Sequence, residues 1–139
     1  MAEFNYAEEL NNNVDYDYIT DVMTGDRDAR MHLYHQLFHS FEKADSVDIM
    51  VSFLMESGVK MLIEDLENAL KRGAKIRILT GNYLGITQPS ALYLIKRKLG
   101  DQIDLRFYNE KNRSFHPKSY IFHYEDYSEI YIGSSNISR

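Results

Sequence analysis

A chain of 139 residues with 44% hydrophobic and 13% aromatic side chains is long enough for one sizeable core and is too apolar to be a disordered polypeptide. Its lack of cysteine excludes disulfides and thiolate chemistry and fits a reducing cytoplasm. The formal charge of −5 argues against a polyanionic partner only until its distribution is read: residues 1–28 hold eight acidic side chains against Arg27 alone, which leaves +2 for residues 29–139.

Residues 1–26 read as an acidic, Asn-rich arm, with Tyr16, Tyr18, Ile19 and Val22 pinning it to the body. The first ten residues contain three glutamates and no basic residue, so they form no signal peptide, and no apolar run approaches the roughly 18 residues of a membrane span. Tyr34, Leu37, Phe38 and Phe41 recur at helical spacing and predict a helix over 27–44. His32, His35 and His39 lie on one side of it, at spacings able to hold zinc, but no cysteine or well-placed carboxylate completes a set; they read as a helix border, and no metal is assigned.

A buried strand follows over 47–53. Val59, Leu62, Ile63, Leu66 and Leu70 trace the apolar stripe of a second helix, with Gly73 at its C-terminal cap. The next strand covers 74–80 and leaves through Gly81. A third helix runs over 89–99, with Pro89 at its start, Leu92, Ile95 and Leu99 inward and Gly100 closing it. A third strand covers 103–109, and a hairpin supplies two more. This alternation predicts an α/β fold in one domain over 1–139: a mixed, mostly parallel sheet flanked by helices and ending in a β-hairpin. Most of the eleven tyrosines fall at alternating or helical positions and read as core or rim residues, not a base-stacking surface.

The chemistry concentrates in His116-Pro117-Lys118 and Gly133-Ser134-Ser135-Asn136. Side chains two apart on a strand share a face at roughly 7 Å, so the His116 imidazole and the Lys118 ammonium look the same way. With a turn at Glu125-Asp126-Tyr127 and Tyr124 opposite Ser128, Phe122 is expected opposite Ile130, Tyr120 opposite Ile132, Lys118 opposite Ser134 and His116 opposite Asn136. Burying the four apolar residues would then assemble the four polar ones. Alone, His116 and Lys118 are an exposed strand start beside a proline, and Ser134 and Asn136 are turn formers. Together they offer a nucleophile, a cation and hydrogen-bonding groups suited to a phosphoryl group. Residues 96–118 add seven basic side chains against three acidic ones, including Lys111 and Arg113 beside the motif. Ser52 and Thr80, at strand ends where α/β sheets bind ligands, are further candidate phosphate contacts.

His-x-Lys followed by Gly-Ser-x-Asn, at the end of a strand and helix alternation, resembles the phospholipase D superfamily. The general plan is shared by nearly the whole chain, and the specific part lies in residues 116–136. One position departs: the family aspartate five residues after the lysine is His123 here, predicted to face away from His116 and Lys118 as a supporting group. The lead-in, the strand ends Val51-Ser52-Phe53-Leu54 and Leu79-Thr80-Gly81, and the finish Ser-Ser-Asn-Ile-Ser-Arg over 134–139 look like the phospholipase D-like N-terminal domain of certain bacterial helicases and restriction-type enzymes. The chain is accordingly read as a fragment of a longer protein.

The resemblance implies a phosphodiesterase-type domain acting on nucleic acid, DNA in preference to RNA, without metal or cofactor. His116 would be the nucleophile or acid, Lys118 and Asn136 would hold the non-bridging oxygens, and Ser134 would orient one of the polar groups. A single motif supplies half of such a site, so a homodimer or a second motif-bearing domain is expected to complete it. Glu110 or Glu125 would stand in for the family's orienting carboxylate. The alternative is a binding module that keeps a phosphate-sized site without turnover. A lipid-directed enzyme is disfavoured because no amphipathic membrane segment is evident.

Overall fold

Alternating burial along the strands turns one face of a five-stranded sheet towards the helices. The computed structural model describes residues 33–137; the acidic arm and His32 lie outside them. The order of elements is α1 (Leu33–Phe41), β1 (Ser46–Val51), α2 (Glu56–Lys71), β2 (Lys75–Thr80), α3 (Pro89–Leu99), β3 (Ile103–Phe107), β4 (Lys118–His123) and β5 (Ser128–Ile132). Short 3-10 turns, Tyr83–Gly85 and Gly100–Gln102, flank α3.

The strands lie in the order β3-β2-β1-β4-β5, with β1, β2 and β3 parallel, β4 antiparallel to β1, and β5 antiparallel to β4. Val47, Ile49 and Val51 on β1 and Ile76, Ile78 and Thr80 on β2 are buried under the helices. Two crossovers advancing in one direction, β1-α2-β2 and β2-α3-β3, put α2 and α3 on the same face. Helix α1 joins them there through an edge-on contact between Phe41 and Phe122, 5.0 Å between ring centroids.

Val59, Leu62 and Leu66 are buried in α2, and Ile63 and Leu70 pack partly against the core. Gly73, at φ +98°, takes the left-handed conformation that ends the helix without a Cβ penalty. The inward face of α3 is Ala91, Leu94, Ile95 and Leu99, whereas Leu92 is only half-buried. Ile95 and Leu99 are buried as expected, and the small Ala91, which a count of large apolar residues overlooks, joins them with Leu94.

Asp65 is buried on α2, one of its carboxylate oxygens has no hydrogen-bond partner, and burial followed by the neighbouring charge of Glu64 pushes its pKa up. A carboxyl raised in the folded state leaves a protein unpenalised below the unfolded pKa and costs stability as pH rises through the folded one. Asp65→Asn is therefore expected to melt above the wild type at pH 7, with the gap closing near pH 3.5–4, the ordinary aspartate range. Melting curves of both proteins across that range check it.

The terminal hairpin has a different register from the one predicted. His123 pairs with Ser128, Ile121 with Ile130 and Tyr120 with Tyr131, so β5 is turned over relative to the expected pairing of Tyr124 with Ser128. The turn is one residue longer at its start: the Tyr124 N–H donates to Tyr127 O (2.9 Å), and the two rings stack at 4.4 Å. Glu129 and Tyr131 consequently face the helices, while Ile130 and Ile132 are 58% and 80% exposed on the other face. Polar contacts outweigh the apolar pattern here, because one Glu129 oxygen accepts from Ser40 Oγ (2.6 Å) and Tyr124 Oη (2.7 Å), tying α1 to the hairpin.

Candidate functional site

Parallel strands β1 and β2 end side by side, and the start of antiparallel β4 meets them there, since Val51 pairs with both Thr80 and Lys118. The residues just beyond Val51 and just before Lys118 therefore share one edge of the sheet. Ser52 is fully buried at that edge and acts as a hub: its Oγ donates to Pro117 O (3.0 Å) and accepts from Lys118 Nζ (3.2 Å).

His116 and Lys118 come together as their spacing predicts, with Nε2 and Nζ 2.8 Å apart. An ammonium has no acceptor capacity, so Nε2 takes its hydrogen bond and the imidazole proton falls to Nδ1. Lys118 also donates to His116 O (3.3 Å), so the three donors of the ammonium all have protein partners. The Tyr83 ring lies 4.2 Å from the His116 ring and covers it from the side of β2. Sequence reasoning missed Tyr83; an aromatic residue two positions beyond the strand-ending Gly81 was the available signal.

Asn136 reaches the same edge by another route than strand pairing. Gly133 N still donates to Lys118 O (3.3 Å), and beyond it the chain leaves β4: the Tyr120 hydroxyl donates to Ser135 O (2.9 Å), Ile137 pairs with Leu54, and Met55 N donates to Ile137 O (2.9 Å). Burial holds the Tyr120 hydroxyl well above the usual phenol range, so it remains a donor. Asn136 Oδ1 then accepts from the backbone N–H groups of Ser52 (2.9 Å) and Phe53 (3.3 Å). With its oxygen engaged, the carboxamide presents its NH2 as a donor beside the Ser52 hub.

The other candidates are placed less centrally. Ser134 is exposed and has no hydrogen bond to these groups, because the changed register removes it from its expected place opposite Lys118. Thr80 is fully buried under the helices and its hydroxyl has no partner among the described residues, so it offers no surface to a ligand. Ser52 is equally buried, and its hydroxyl is spent on Pro117 and Lys118. Lys111 and Arg113 are exposed in the segment between β3 and β4 that leads into His116. Glu110 accepts from Asn112 N (3.3 Å), and Glu125 sits in the hairpin turn at the opposite end of β4; neither touches His116.

His123 lies five residues beyond Lys118, roughly 16 Å along the strand, on the uncovered face of the sheet. Its Nε2 is 3.1 Å from Asp48 Oδ2 and its Nδ1 3.0 Å from Ser128 Oγ. Arg77 grips the same Asp48 through two bonds of 2.6 and 2.7 Å, and that pairing holds the Asp48 carboxyl below its usual range.

Close approach of the edge loops depends on Gly81. A Cβ there would lie 2.9 Å from Phe115 Cδ1, and Phe115 is stacked on Tyr108 at 4.7 Å. Gly81→Ala is expected to push the ring that precedes His116 and to cost about 1–3 kcal/mol, as overpacking does. Denaturant unfolding checks this, and Gly81→Ala combined with Phe115→Leu should recover most of the loss.

A search of curated proteins finds no match. Among solved structures the chain is similar to a polyphosphate kinase from Porphyromonas gingivalis, at 15% identity and TM-score 0.48 over 67% of this chain and 16% of the other. It is also similar to TrmBL2, an archaeal chromatin protein with a novel mode of DNA binding, at 21% identity and TM-score 0.40 over 63% of this chain and 31% of the other. The chain thus spans less than a third of either protein's length. The family model for "Cardiolipin synthase, PLD-like domain" matches residues 34–139, most of the chain and all of the sheet and edge cluster. This α/β chain, with its mixed five-stranded sheet, belongs to the phospholipase D-like domain family.

Proposed function

We propose that the domain cleaves or transfers phosphodiesters of nucleic acid through His116, without metal, as part of a larger helicase or restriction-type protein. The observation that carries this reading is the contact of His116 Nε2 with Lys118 Nζ at 2.8 Å, joined through Ser52 to Asn136. A phosphoryl oxygen entering between Lys118 and the Asn136 amide would take over the ammonium's hydrogen bond and release the Nε2 lone pair. That nitrogen attacks phosphorus as the bond to the leaving oxygen breaks, and the leaving alkoxide takes a proton from a histidine of a second motif. Water then attacks the phosphohistidine, giving its proton to that second histidine, and the P–N electron pair returns to His116.

The second histidine comes from another copy of the chain in a homodimer, or from another domain. Nucleic acid is preferred to lipid because Lys111 and Arg113 lie exposed on the approach to His116, DNA being favoured over RNA. Among the described residues, no helix is long and apolar enough to cross a membrane. A cytoplasmic location fits the absence of cysteine.

A second reading, a non-catalytic phosphate-binding module, is favoured by two observations. The Nε2 lone pair is occupied by Lys118, and no carboxylate among the described residues touches His116. Rapid acid-free quenching of a labelled phosphodiester substrate, in the presence of chelator, separates the two. An acid-labile adduct on His116 supports the enzyme, whereas tight salt-dependent binding with no adduct supports the binding module.

A further inference from the structure

On the exposed side of α1 two imidazoles one helical turn apart face each other. The Nε2 atoms of His35 and His39 are 3.2 Å apart, and the rings meet edge-on with centroids separated by 4.7 Å and planes inclined at 85°. Two nitrogens each about 2.0–2.1 Å from a shared ion are separated by roughly 2.9–3.4 Å when the angle at the ion is between about 90° and 109°. The observed separation falls inside that range. A second feature points the same way: the other nitrogen of His39, Nδ1, lies 3.5 Å from Glu42 Oε2. An imidazole that ligates a metal through one nitrogen commonly turns the other towards a carboxylate, which fixes the ring and raises its basicity.

We propose that His35 and His39 chelate one transition-metal dication of the zinc, nickel and copper class through their Nε2 atoms, with Glu42 orienting His39. The site is separate from the His116 edge cluster. Imidazole pairs suit these ions and not calcium or magnesium, which take oxygen ligands. The His39 and Glu42 side chains are 53% and 52% exposed, so an ion enters from solvent and water completes its coordination. Such an ion clips together two turns of the helix whose Ser40 holds Glu129 of the hairpin. Glu42 faces the far nitrogen of His39, so it orients that ring and is not itself a ligand.

Titrating the full chain calorimetrically with copper, nickel and zinc chlorides, in a buffer that does not chelate, tests the proposal. One equivalent should bind, copper tightest. His35→Gln and His39→Gln should each weaken binding by at least about tenfold, Glu42→Gln by a smaller factor, and His123→Gln not at all. As a check needing no variant, substoichiometric nickel should broaden the ring proton signals of His35 and His39 before those of His116 and His123. A direct hydrogen bond between two neutral imidazoles would produce the same spacing with no ion. In that case the isotherm is flat or indifferent to both glutamine variants, or broadening begins at His116, and any of these results overturns the proposal.

Discussion

Replacing His116 by alanine is expected to abolish covalent phosphate capture and to lower phosphodiester cleavage on the order of 1,000-fold or more, while the melting temperature barely moves. The size of the effect follows from the proposed role of His116 Nε2 in bonding to phosphorus; once a nucleophile is gone, only binding and charge stabilisation remain. The small effect on folding follows from exposure, since the imbalance created is the loss of ring contact with Tyr83 and of one hydrogen bond from Lys118. Exposed substitutions of this kind usually stay within about 0.5 kcal/mol. Lys118 retains Ser52 Oγ and His116 O as partners, so the ammonium remains held at the sheet edge. Single-turnover cleavage in chelator and thermal melting of the same preparation measure both halves. Undiminished cutting by the variant would remove His116 from the chemistry, whatever the fold resembles.

Asn136 separates architecture from catalysis more finely. Asn136→Asp keeps an oxygen opposite the Ser52 and Phe53 N–H groups, and bonds to an ionised acceptor are stronger than to a neutral one. It also exchanges the NH2 donor for negative charge where a phosphate oxygen would sit. The variant is expected to melt within a few degrees of the wild type but to lose phosphate affinity and turnover by on the order of 100-fold or more, the scale of removing one such donor. Asn136→Ala strips the acceptor as well. Leaving buried backbone donors unsatisfied costs roughly 1–3 kcal/mol for each group, so this variant should lose stability as well as activity. If Asp and Ala variants prove equally active, Asn136 serves only to close the loop onto β1.

Much of the fold was legible because its signals are local. Helix α2 announced itself through Val59, Leu62 and Leu66, and its end through Gly73, whose left-handed backbone a glycine adopts without strain. Pro89 and Gly100 bracketed α3 in the same way. His116 and Lys118 were legible as a pair because two-residue spacing on an extended chain needs no tertiary information. The hairpin register was not, because it turned on a bond from Ser40 to Glu129 across 89 residues of sequence. Ser134 fell out of the site with that register, and Thr80 did so because alternation on β2 sends it under the helices.

Sequence by itself determined the α/β alternation, the family and the residue types able to handle a phosphoryl group, since periodicity, capping and motif spacing are all written along the chain. Only the tertiary structure decided how Asn136 arrives at the site: not opposite His116 in a ladder, but by crossing to the end of β1, where two backbone N–H groups orient its carboxamide. Ser52 became the hub for the same reason, because a strand end lacks ladder partners and its polar groups must be satisfied by whatever distant segments the fold brings there.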